Sequence, residues 1–285
     1  MKEFEDRVAV ITGGASGIGL GMARAFSKRG MKLVIADLDE NAMAAAQSEF
    51  SARNIEVVTR HCDVAKLEDV EALAQFTIET YGAVHVLCNN AGVGIPTPTH
   101  KMKLQDWKWI IDVDLWGPIY GVQTFLPLIE QQTWGHINST SSMAGLIAGR
   151  KMGAYNVAKH GVIALMATLE RELRAKKSPV TASVLCPGPI NTNISANSVE
   201  YRPPLDQPVK SGTEDAKKAR SGSKNTGDKM QAIMAETGLD PDEVGELVFD
   251  AIENDKFWVL THPRWAKAVR NMLDAMREDQ SLTKA

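Results

Sequence analysis

Short apolar runs alternate with longer amphipathic stretches along almost the whole chain. The runs are rich in β-branched residues, and most are continuously apolar instead of alternating with polar residues. Continuous apolar runs are typical of strands that are buried on both faces of a parallel sheet. The pattern therefore predicts seven strands, at residues 8–11, 33–36, 57–62, 84–88, 136–138, 182–185 and 257–260.

Helical periodicity fills the intervals between these runs. Gly30 is a suitable stop for the first helix. Asp240, followed by Pro241 and two acidic residues, is typical of a helix start. Repeated strand–helix alternation predicts one α/β domain over residues 1–285, a doubly wound parallel sheet with helices on both faces. The predicted helices are residues 18–29, 41–50, 67–81, 104–129, 155–174, a segment from 240, and 264–276.

A polar segment interrupts this alternation. From residue 193 to about residue 229 the chain is rich in Pro, Gly, Ser and Lys, and it lies between a predicted strand and a predicted helix. A loop of this length in a compact domain is usually functional or disordered. Residues 255–285 then add a C-terminal strand and helix.

Composition narrows the partners and the location that we expect. The net charge of −3 lacks the basic balance of a nucleic-acid-binding protein. No apolar run approaches the roughly 18 residues of a membrane span, and the acidic, polar N-terminus is not a signal peptide. Cys62, Cys88 and Cys186 are too far apart for a paired metal or redox motif. We therefore predict buried reduced thiols, no metal site and a cytoplasmic protein.

A glycine-rich turn follows the first predicted strand and opens the first helix. Gly13, Gly17 and Gly19 would let a diphosphate approach the backbone N–H groups at the positive end of the helix dipole. Their spacing, G-x-x-x-G-x-G, differs from the commoner dinucleotide fingerprint. The motif alone could be a plain turn, but its place between strand and helix favours a dinucleotide site, with Ser16 and Ile18 as its other candidate residues.

Asp37 ends the second predicted strand, about 20 residues beyond the glycines, where an acidic side chain can bind the ribose hydroxyls of the cofactor. A carboxylate would repel the extra phosphate of NADP, and neither Ser16 nor Leu38 is basic. We therefore predict NAD as the cofactor. The alternative is that Asp37 only begins a turn.

Tyr155 and Lys159 are spaced so that they share one face of a predicted helix. An ammonium beside the phenol stabilises phenolate, so the pair could exchange a proton with a substrate hydroxyl while hydride moves to a nicotinamide. Ser142, just past a strand, could orient the substrate oxygen, although the hydroxyls at 139–141 are rivals. Taken alone, this spacing is also common on exposed helix faces.

Together these residues resemble the short-chain dehydrogenase/reductase family over nearly the full length of the chain. The matching motifs are TGxxxGxG at 12–19, NNAG at 89–92, the serine at Ser142, YxxxK at Tyr155 and Lys159, and PGxxxT at 187–192. The resemblance implies a Rossmann-type fold and a substrate lid at 193–235.

The resemblance also implies roles for individual residues. Tyr155 would be the acid/base and Ser142 the orienting hydroxyl, while Lys159 would also bind the nicotinamide ribose. The other cofactor contacts would be Asp63 at the adenine amino group, Val64 beside it, Ile18 at the diphosphate, Asn90 at the adenine ribose and central sheet, and Pro187, Gly188, Ile190 and Thr192 around the nicotinamide.

The chain departs from the family at one position. Many members have asparagine where this chain has Asp114, at a point where the asparagine helps bind a relay water. An ionised carboxylate cannot donate a hydrogen bond, but it could stabilise Lys159 as ammonium. We hypothesise that Asp114 keeps the relay role with an altered pH optimum. The alternative is that only its main-chain carbonyl matters.

The predicted substrate is a small hydrophobic secondary alcohol or its ketone, aryl, alicyclic or steroid-like. This expectation rests on apolar residues near the motifs, which would line an adaptable pocket: Met143, Ile147, Met152, Val93 and Ile95. An NADPH-dependent 3-oxoacyl-thioester reductase and a non-catalytic dinucleotide-sensing protein remain alternatives. The resemblance further implies a homodimer or homotetramer.

Overall fold

Seven parallel strands form one sheet in the order β3-β2-β1-β4-β5-β6-β7 within the described part of the chain. The computed structural model describes residues 2–204, 232 and 234–278. The predicted doubly wound sheet is confirmed, and the strand ends differ from the predicted ends by at most two residues. The strands are β1 (Val8–Thr12), β2 (Lys32–Asp37), β3 (Val57–His61), β4 (Val86–Asn89), β5 (Gly135–Thr140), β6 (Val180–Cys186) and β7 (Trp258–Leu260).

Nine α-helices of the described residues connect and flank these strands. They are α1 (Gly17–Ser27), α2 (Glu40–Ser51), α3 (Leu67–Tyr81), α4 (Leu104–Ile111), α5 (Gly117–Ile129), α6 (Gly153–Ala175), α7 (Ile194–Glu200), α8 (Pro241–Glu253) and α9 (Ala266–Glu278). As predicted, Asp240 caps α8, accepting a 2.7 Å hydrogen bond from Asp242 N.

The helix predicted over 104–129 is not regular throughout. A π-helical turn, Asp112–Trp116, lies between α4 and α5, and Gly117 N donates to Asp112 O five residues back. Pro118 has no N–H, so the carbonyl of Asp114 loses its usual α-helical donor. Loss of that bond favours a wider turn at this point.

The polar segment also differs from the prediction of a simple loop. It begins with a short helix, α7, whose sequence is too polar to show an apolar stripe. The rest of the predicted lid, residues 205–231 and 233, lies outside the described residues, as do residues 279–285 of the C-terminal extension.

Two apolar cores cover the two faces of the sheet. Side chains of α1, α2 and α8 pack on one face, and side chains of α3, α5 and α6 pack on the other. The helices α1 and α8 touch backbone to backbone: a Cβ atom at Gly21 would lie 2.1 Å from Pro241 O, and one at Gly245 would lie 2.2 Å from Gly21 O. Only glycine allows this approach, which holds α8 against the helix that follows the glycine turn.

The strand order reverses between β1 and β4. The chain proceeds from β1 through β2 to β3 on one side, and from β4 to β7 on the other. In open α/β sheets, ligands bind in the crevice outside the carboxyl ends of the strands at such a reversal. The motifs that follow β1, β4, β5 and β6 therefore meet at one edge of the sheet.

The three cysteines are free and buried, as the prediction of buried reduced thiols requires. Burial raises the pKa of the Cys62 and Cys186 thiols to about 12, so both stay protonated at neutral pH. None of the helices in the described residues combines the length and apolar character needed to cross a bilayer.

Two buried histidines are held neutral by their surroundings. His85 Nδ1 accepts a 3.2 Å hydrogen bond from Val8 N, and burial lowers the pKa of His85 to about 4. His136 lies between the hydroxyls of Thr181 and Ser183, and burial lowers its pKa to about 3. Unfolded histidines titrate near 6.5. Between these values the unfolded chain binds more protons, so stability falls as the pH drops below 6.5.

We expect His85→Asn to flatten this acid sensitivity, because the Asn Oδ1 can still accept from Val8 N but does not titrate. The slope of the free energy of unfolding should decrease by up to about 1.4 kcal/mol per pH unit between pH 6.5 and pH 4. Denaturant unfolding across this range measures the slope. His100→Asn, at an exposed histidine, is the control and should follow the wild type. Parallel slopes for all three proteins would contradict the prediction.

Candidate active site

The glycine turn brings β1 and the segment after β4 into direct contact. Gly13 has a φ of +60°, and a Cβ atom there would lie 2.8 Å from Ala91 Cα. A Cβ atom at Gly19 would lie 2.1 Å from Gly13 O. Ser16 precedes α1 and makes no side-chain capping hydrogen bond. The turn is thus a narrow backbone cradle at a helix N-terminus, and it fits a diphosphate.

Asn90 joins three strands at the centre of this edge. Its Nδ2 donates to Thr12 O and Gly13 O, each at 3.2 Å, and its Oδ1 accepts a 3.1 Å bond from Thr140 Oγ1. The Thr12 hydroxyl in turn accepts from Asn90 N at 3.0 Å. Asn90 therefore has the sheet-stabilising contacts that the family resemblance implied, while its contact with the adenine ribose stays a prediction.

Asp37 fastens the end of β2 to the glycine turn. Its Oδ2 accepts a 3.0 Å bond from Ala15 N, and its Oδ1 accepts from Leu38 N and Asp39 N at 2.8 and 3.2 Å. Burial raises the pKa of the carboxyl, and these three bonds oppose the rise. Asp37 therefore does begin a turn, but Asp39 caps α2, accepting from Ala42 N. The turn places the Asp37 carboxylate beside the cradle, as a ribose-binding role requires.

Asp63 and Val64 follow β3 at the same edge of the sheet. Asp63 Oδ1 accepts from Ala65 N at 3.1 Å, and its Oδ2 lies 3.3 Å from Lys66 Nζ. Val64 is buried against Gly117 at the start of α5. Both residues are well fixed, and their contacts with adenine remain predictions.

Ser142, Tyr155 and Lys159 meet where β5 ends. Ser142 precedes a short 3-10 turn, accepts from Ala144 N at 3.1 Å and lies near enough to the Tyr155 phenol to lower its pKa. Tyr155 and Lys159 lie one turn apart on α6, with Lys159 Nζ 5.4 Å from the centre of the phenol ring. The hydroxyls that rivalled Ser142 are engaged elsewhere: Thr140 bonds Asn90, and Ser141 donates to Lys159 O.

Lys159 is almost completely buried, at 2% exposure. Its ammonium donates a 3.1 Å bond to Thr140 O and lies 3.5 Å from Asp114 Oδ2. Burial raises the pKa of the Tyr155 phenol, the charge on Lys159 and the Ser142 hydrogen bond lower it, and the charge on Asp114 raises it. The phenol is therefore subject to opposing charges from one ion pair.

Asp114 lies in the π-helical turn with no exposed surface. Its Oδ1 accepts a 2.7 Å bond from Val93 N, and its Oδ2 has no hydrogen-bond partner. Burial raises the pKa of this carboxyl to about 6, although Lys159 opposes the rise. Asp114 thus lies beside Lys159, one of the candidate catalytic residues, and its part in a proton relay stays a prediction.

The predicted pocket residues separate into two groups. Met143 and Ile95 are buried, with Met143 inside the core that covers the α6 side of the sheet. Val93, Ile147 and Met152 are half-buried. The second group is therefore better placed to contact a substrate directly. A pocket role for all five residues stays a prediction.

The turn after β6 is held by the C-terminal segment. Gly188 N donates a 3.0 Å bond to Thr261 Oγ1, which lies 2.8 Å from His262 Nδ1. A Cβ atom at Gly188 would lie 2.6 Å from that ring nitrogen. The sequence analysis missed Thr261 and His262, because two polar residues after a three-residue strand show no motif or periodicity.

The rest of the PGxxxT motif lies close to the cradle. Pro187 and Ile190 are buried, and a β-bridge joins Ile190 to Leu239. A Cβ atom at Gly17 would lie 3.0 Å from Thr192 Cγ2. The motif after β6 therefore meets the glycine turn across the crevice, as predicted for one dinucleotide site.

The helix α7 is attached to the same crevice. Ser198 Oγ accepts a 2.8 Å bond from Gly94 N, and a Cβ atom at Gly94 would lie 3.3 Å from the ring of Tyr155. Beyond the helix, Arg202 makes a two-pronged ion pair with the buried Asp106 of α4, at 2.6 and 2.7 Å. These anchors were not predicted, since isolated polar residues in a polar segment carry no signal of pairing.

Comparison with known proteins agrees with the arrangement of this edge. Residues 7–203 match the short chain dehydrogenase family. The chain belongs to the short-chain dehydrogenase/reductase family. A solved family member from Burkholderia phymatum, in complex with NAD, superposes with a TM-score of 0.91 at 34% identity, covering 100% of this chain and 99% of that one.

Two further members of the family show the range of these relatives. A C alpha-dehydrogenase of Sphingobium sp. is 32% identical over 97% of this chain and 87% of its own length. The alcohol dehydrogenase from the archaeon Thermococcus sibiricus, solved with 5-hydroxy-NADP, has a TM-score of 0.70 at 25% identity, covering 90% of this chain and 95% of that one. Both NAD and NADP thus occur among structures similar to this chain.

We expect Thr261→Val to destabilise the protein by about 1 kcal/mol or more, because Gly188 N loses its acceptor in a partly buried place. Thr261→Ser keeps the hydroxyl, so its free energy of unfolding should stay close to that of the wild type. Denaturant unfolding of the three proteins measures the difference. A Thr261→Val protein as stable as the wild type would contradict the prediction, because this variant keeps the methyl group and lacks only the hydroxyl.

Proposed function

We propose that the chain is an NAD-dependent oxidoreductase that interconverts a hydrophobic secondary alcohol, aryl, alicyclic or steroid-like, and its ketone. The observation that carries this proposal is the convergence of Ser142, Tyr155 and Lys159 beside a backbone cradle that fits a diphosphate. The intact arrangement favours catalysis over the alternative of a dinucleotide-sensing protein.

The cofactor would lie along the crevice at the carboxyl edge of the sheet. Bound nicotinamide would supply the hydride acceptor and donor. The residues that would hold the dinucleotide are those of the glycine turn, Asp37, Asp63, Val64, Asn90, Lys159 and the turn from Pro187 to Thr192. The carboxylate of Asp37, fixed beside the cradle by Ala15 N, supports NAD over NADP, because it would repel a ribose phosphate.

Tyr155 would exchange the proton of the reacting oxygen. The Ser142 hydroxyl lies near the phenol and lowers its pKa, so one substrate oxygen could contact both hydroxyls. Lys159 would stabilise the phenolate that remains when Tyr155 has donated its proton. The proposed roles are therefore orientation for Ser142, acid/base catalysis for Tyr155 and charge stabilisation for Lys159.

The substrate would lie between the loop after β4 and the helix α7. The half-buried Val93, Ile147 and Met152 offer apolar surface there, and α7 would form the described part of a lid over residues 193–235. Its attachments at Ser198 and Arg202 support that role. This lid and Asp37 count against the 3-oxoacyl-thioester reductase alternative. A single domain over residues 1–285 and a cytoplasmic location stay predictions.

We expect the protein to oxidise bulky secondary alcohols with NAD. The absorbance of the reduced nicotinamide measures the rate. Tyr155→Phe should lower the rate roughly 10²–10⁴-fold, because the acid/base is lost. Absence of turnover with every alcohol and ketone of a broad panel, despite measurable NAD binding, would favour the dinucleotide-sensing alternative.

Asp37→Asn should reduce the preference for NAD over NADP, measured as the ratio of kcat/KM values, by roughly tenfold, which corresponds to about 1.4 kcal/mol of repulsion. The amide keeps one acceptor oxygen, so it can accept either from Ala15 N or from Leu38 N and Asp39 N, and the NAD/NADP ratio is used because a loosened turn affects both cofactors. Asp39→Asn, at the cap of α2, is the matched control for the charge change. A wild-type enzyme that prefers NADP would refute the proposed role of Asp37. The proposed role of Tyr155 would still stand.

Exposed apolar residues on the helices α4 to α6 support assembly into a homodimer or homotetramer. Leu104, Trp116 and Val157 are all exposed, and Trp116 stacks on Tyr120. We expect Val157→Glu to reduce the molecular mass in light scattering, because a charge would be buried between subunits. Val199→Glu, at an exposed valine of α7, is the control. A monomeric wild type would contradict the proposal.

A further inference from the structure

The carboxylate of Asp114 is enclosed by a small set of groups. The loop after β4 contributes Val93 N, which donates to Oδ1, and the nearby Gly92. The helix α6 contributes the Lys159 ammonium, 3.5 Å from Oδ2, and the Tyr155 phenol. Among the described residues, Lys159 is the only cation that acts on this carboxyl. The ion pair is therefore isolated from solvent and from other charges.

The pair acts on Tyr155 with two opposite charges. The ammonium favours the phenolate form, and the carboxylate disfavours it. An asparagine at this position would leave the effect of the ammonium uncompensated. The carboxylate therefore distinguishes this site electrostatically from a site with the usual amide, even if both hold the loop after β4 in the same way.

We propose that Asp114 is a positioning residue that acts through Lys159 to hold Tyr155 protonated near neutral pH, which suits the site to ketone reduction. This inference rests on the proposed function. In reduction the hydride supplies the electron pair to the carbonyl carbon, and the O–H bond of Tyr155 breaks as its proton moves to the carbonyl oxygen. Alcohol oxidation needs the phenolate instead. The carboxylate therefore moves the pH range of alcohol oxidation upwards. The equilibrium constant of the reaction is unaffected.

The effect of the Asp114 charge on Tyr155 should disappear at low pH. Burial raises the pKa of Asp114 to about 6, so below that pH the carboxyl is neutral and resembles an amide. Above it the carboxylate opposes Lys159. The difference between Asp114 and asparagine should consequently appear only above about pH 6.

The substitution Asp114→Asn isolates the charge from the structural role. The Asn Oδ1 can still accept from Val93 N, so the loop keeps its anchor. Asp112→Asn is the matched control: it removes one carboxylate from the same π-helical turn, at a side chain that faces solvent and pairs with Lys108. Asp114→Ser provides a second uncharged side chain in case the amide is not tolerated.

Two measurements test the proposal. The pH profiles of kcat/KM for alcohol oxidation and ketone reduction are compared among the variants. Separately, tyrosinate absorbance of the cofactor-free proteins is titrated, and the same titration in a Tyr155→Phe background is subtracted. We expect Asp114→Asn and Asp114→Ser to lower, by about one pH unit, the pH at which Tyr155 ionises. The pH at which the oxidation rate rises should fall by the same amount. Asp112→Asn should match the wild type, and all profiles should converge below about pH 6.

Superimposable wild-type and Asp114→Asn curves in both measurements would overturn the proposal. An equal shift in Asp112→Asn would also overturn it, because it would reflect net charge and not the buried pair. A shifted tyrosinate titration without turnover on any substrate would support the coupling between Asp114 and Tyr155 and refute the proposed reaction. The two failures are thereby distinguished.

Discussion

A continuous hydrogen-bonded path from the glycine turn to Lys159, a candidate catalytic residue, is the interaction on which the rest of the site depends. Gly13 O accepts from Asn90, Asn90 accepts from Thr140 Oγ1, and Thr140 O accepts from Lys159. The path crosses three adjacent strands at the edge where their order reverses. It requires the contact of Gly13 with Ala91, which a side chain would prevent. The glycine turn and the candidate proton-exchange residues are therefore joined by one series of hydrogen bonds.

The same path explains how a charged lysine can be buried. An unpaired ammonium in the interior is strongly destabilising. Lys159 avoids this with one carbonyl bond and the nearby Asp114 carboxylate. The π-helical turn that carries Asp114 is favoured by Pro118, which cannot donate to the preceding turn.

Local patterns in the sequence were sufficient to predict most of the fold and the centre of the site. Continuous apolar runs are recognisable because a parallel sheet is covered on both faces. The spacing of Tyr155 and Lys159 is a helical period. The π-helical turn escaped prediction because a proline within a helical pattern does not show whether the helix ends or continues past it with a wider turn. Thr261 and Arg202 escaped because their partners, Gly188 and Asp106, are distant in sequence. Burial of Met143 likewise depends on tertiary packing.

The backbone contact between α1 and α8 has a consequence for the order in which the protein can form. The helix after the glycine turn is made early in synthesis, yet the surface that covers it comes from residues 241–253. Contacts between such distant segments carry a large loop-closure cost and form late. On the ribosome, the apolar face of α1 must wait for most of the chain to emerge. During that interval it is open to chaperones or to aggregation with other nascent chains.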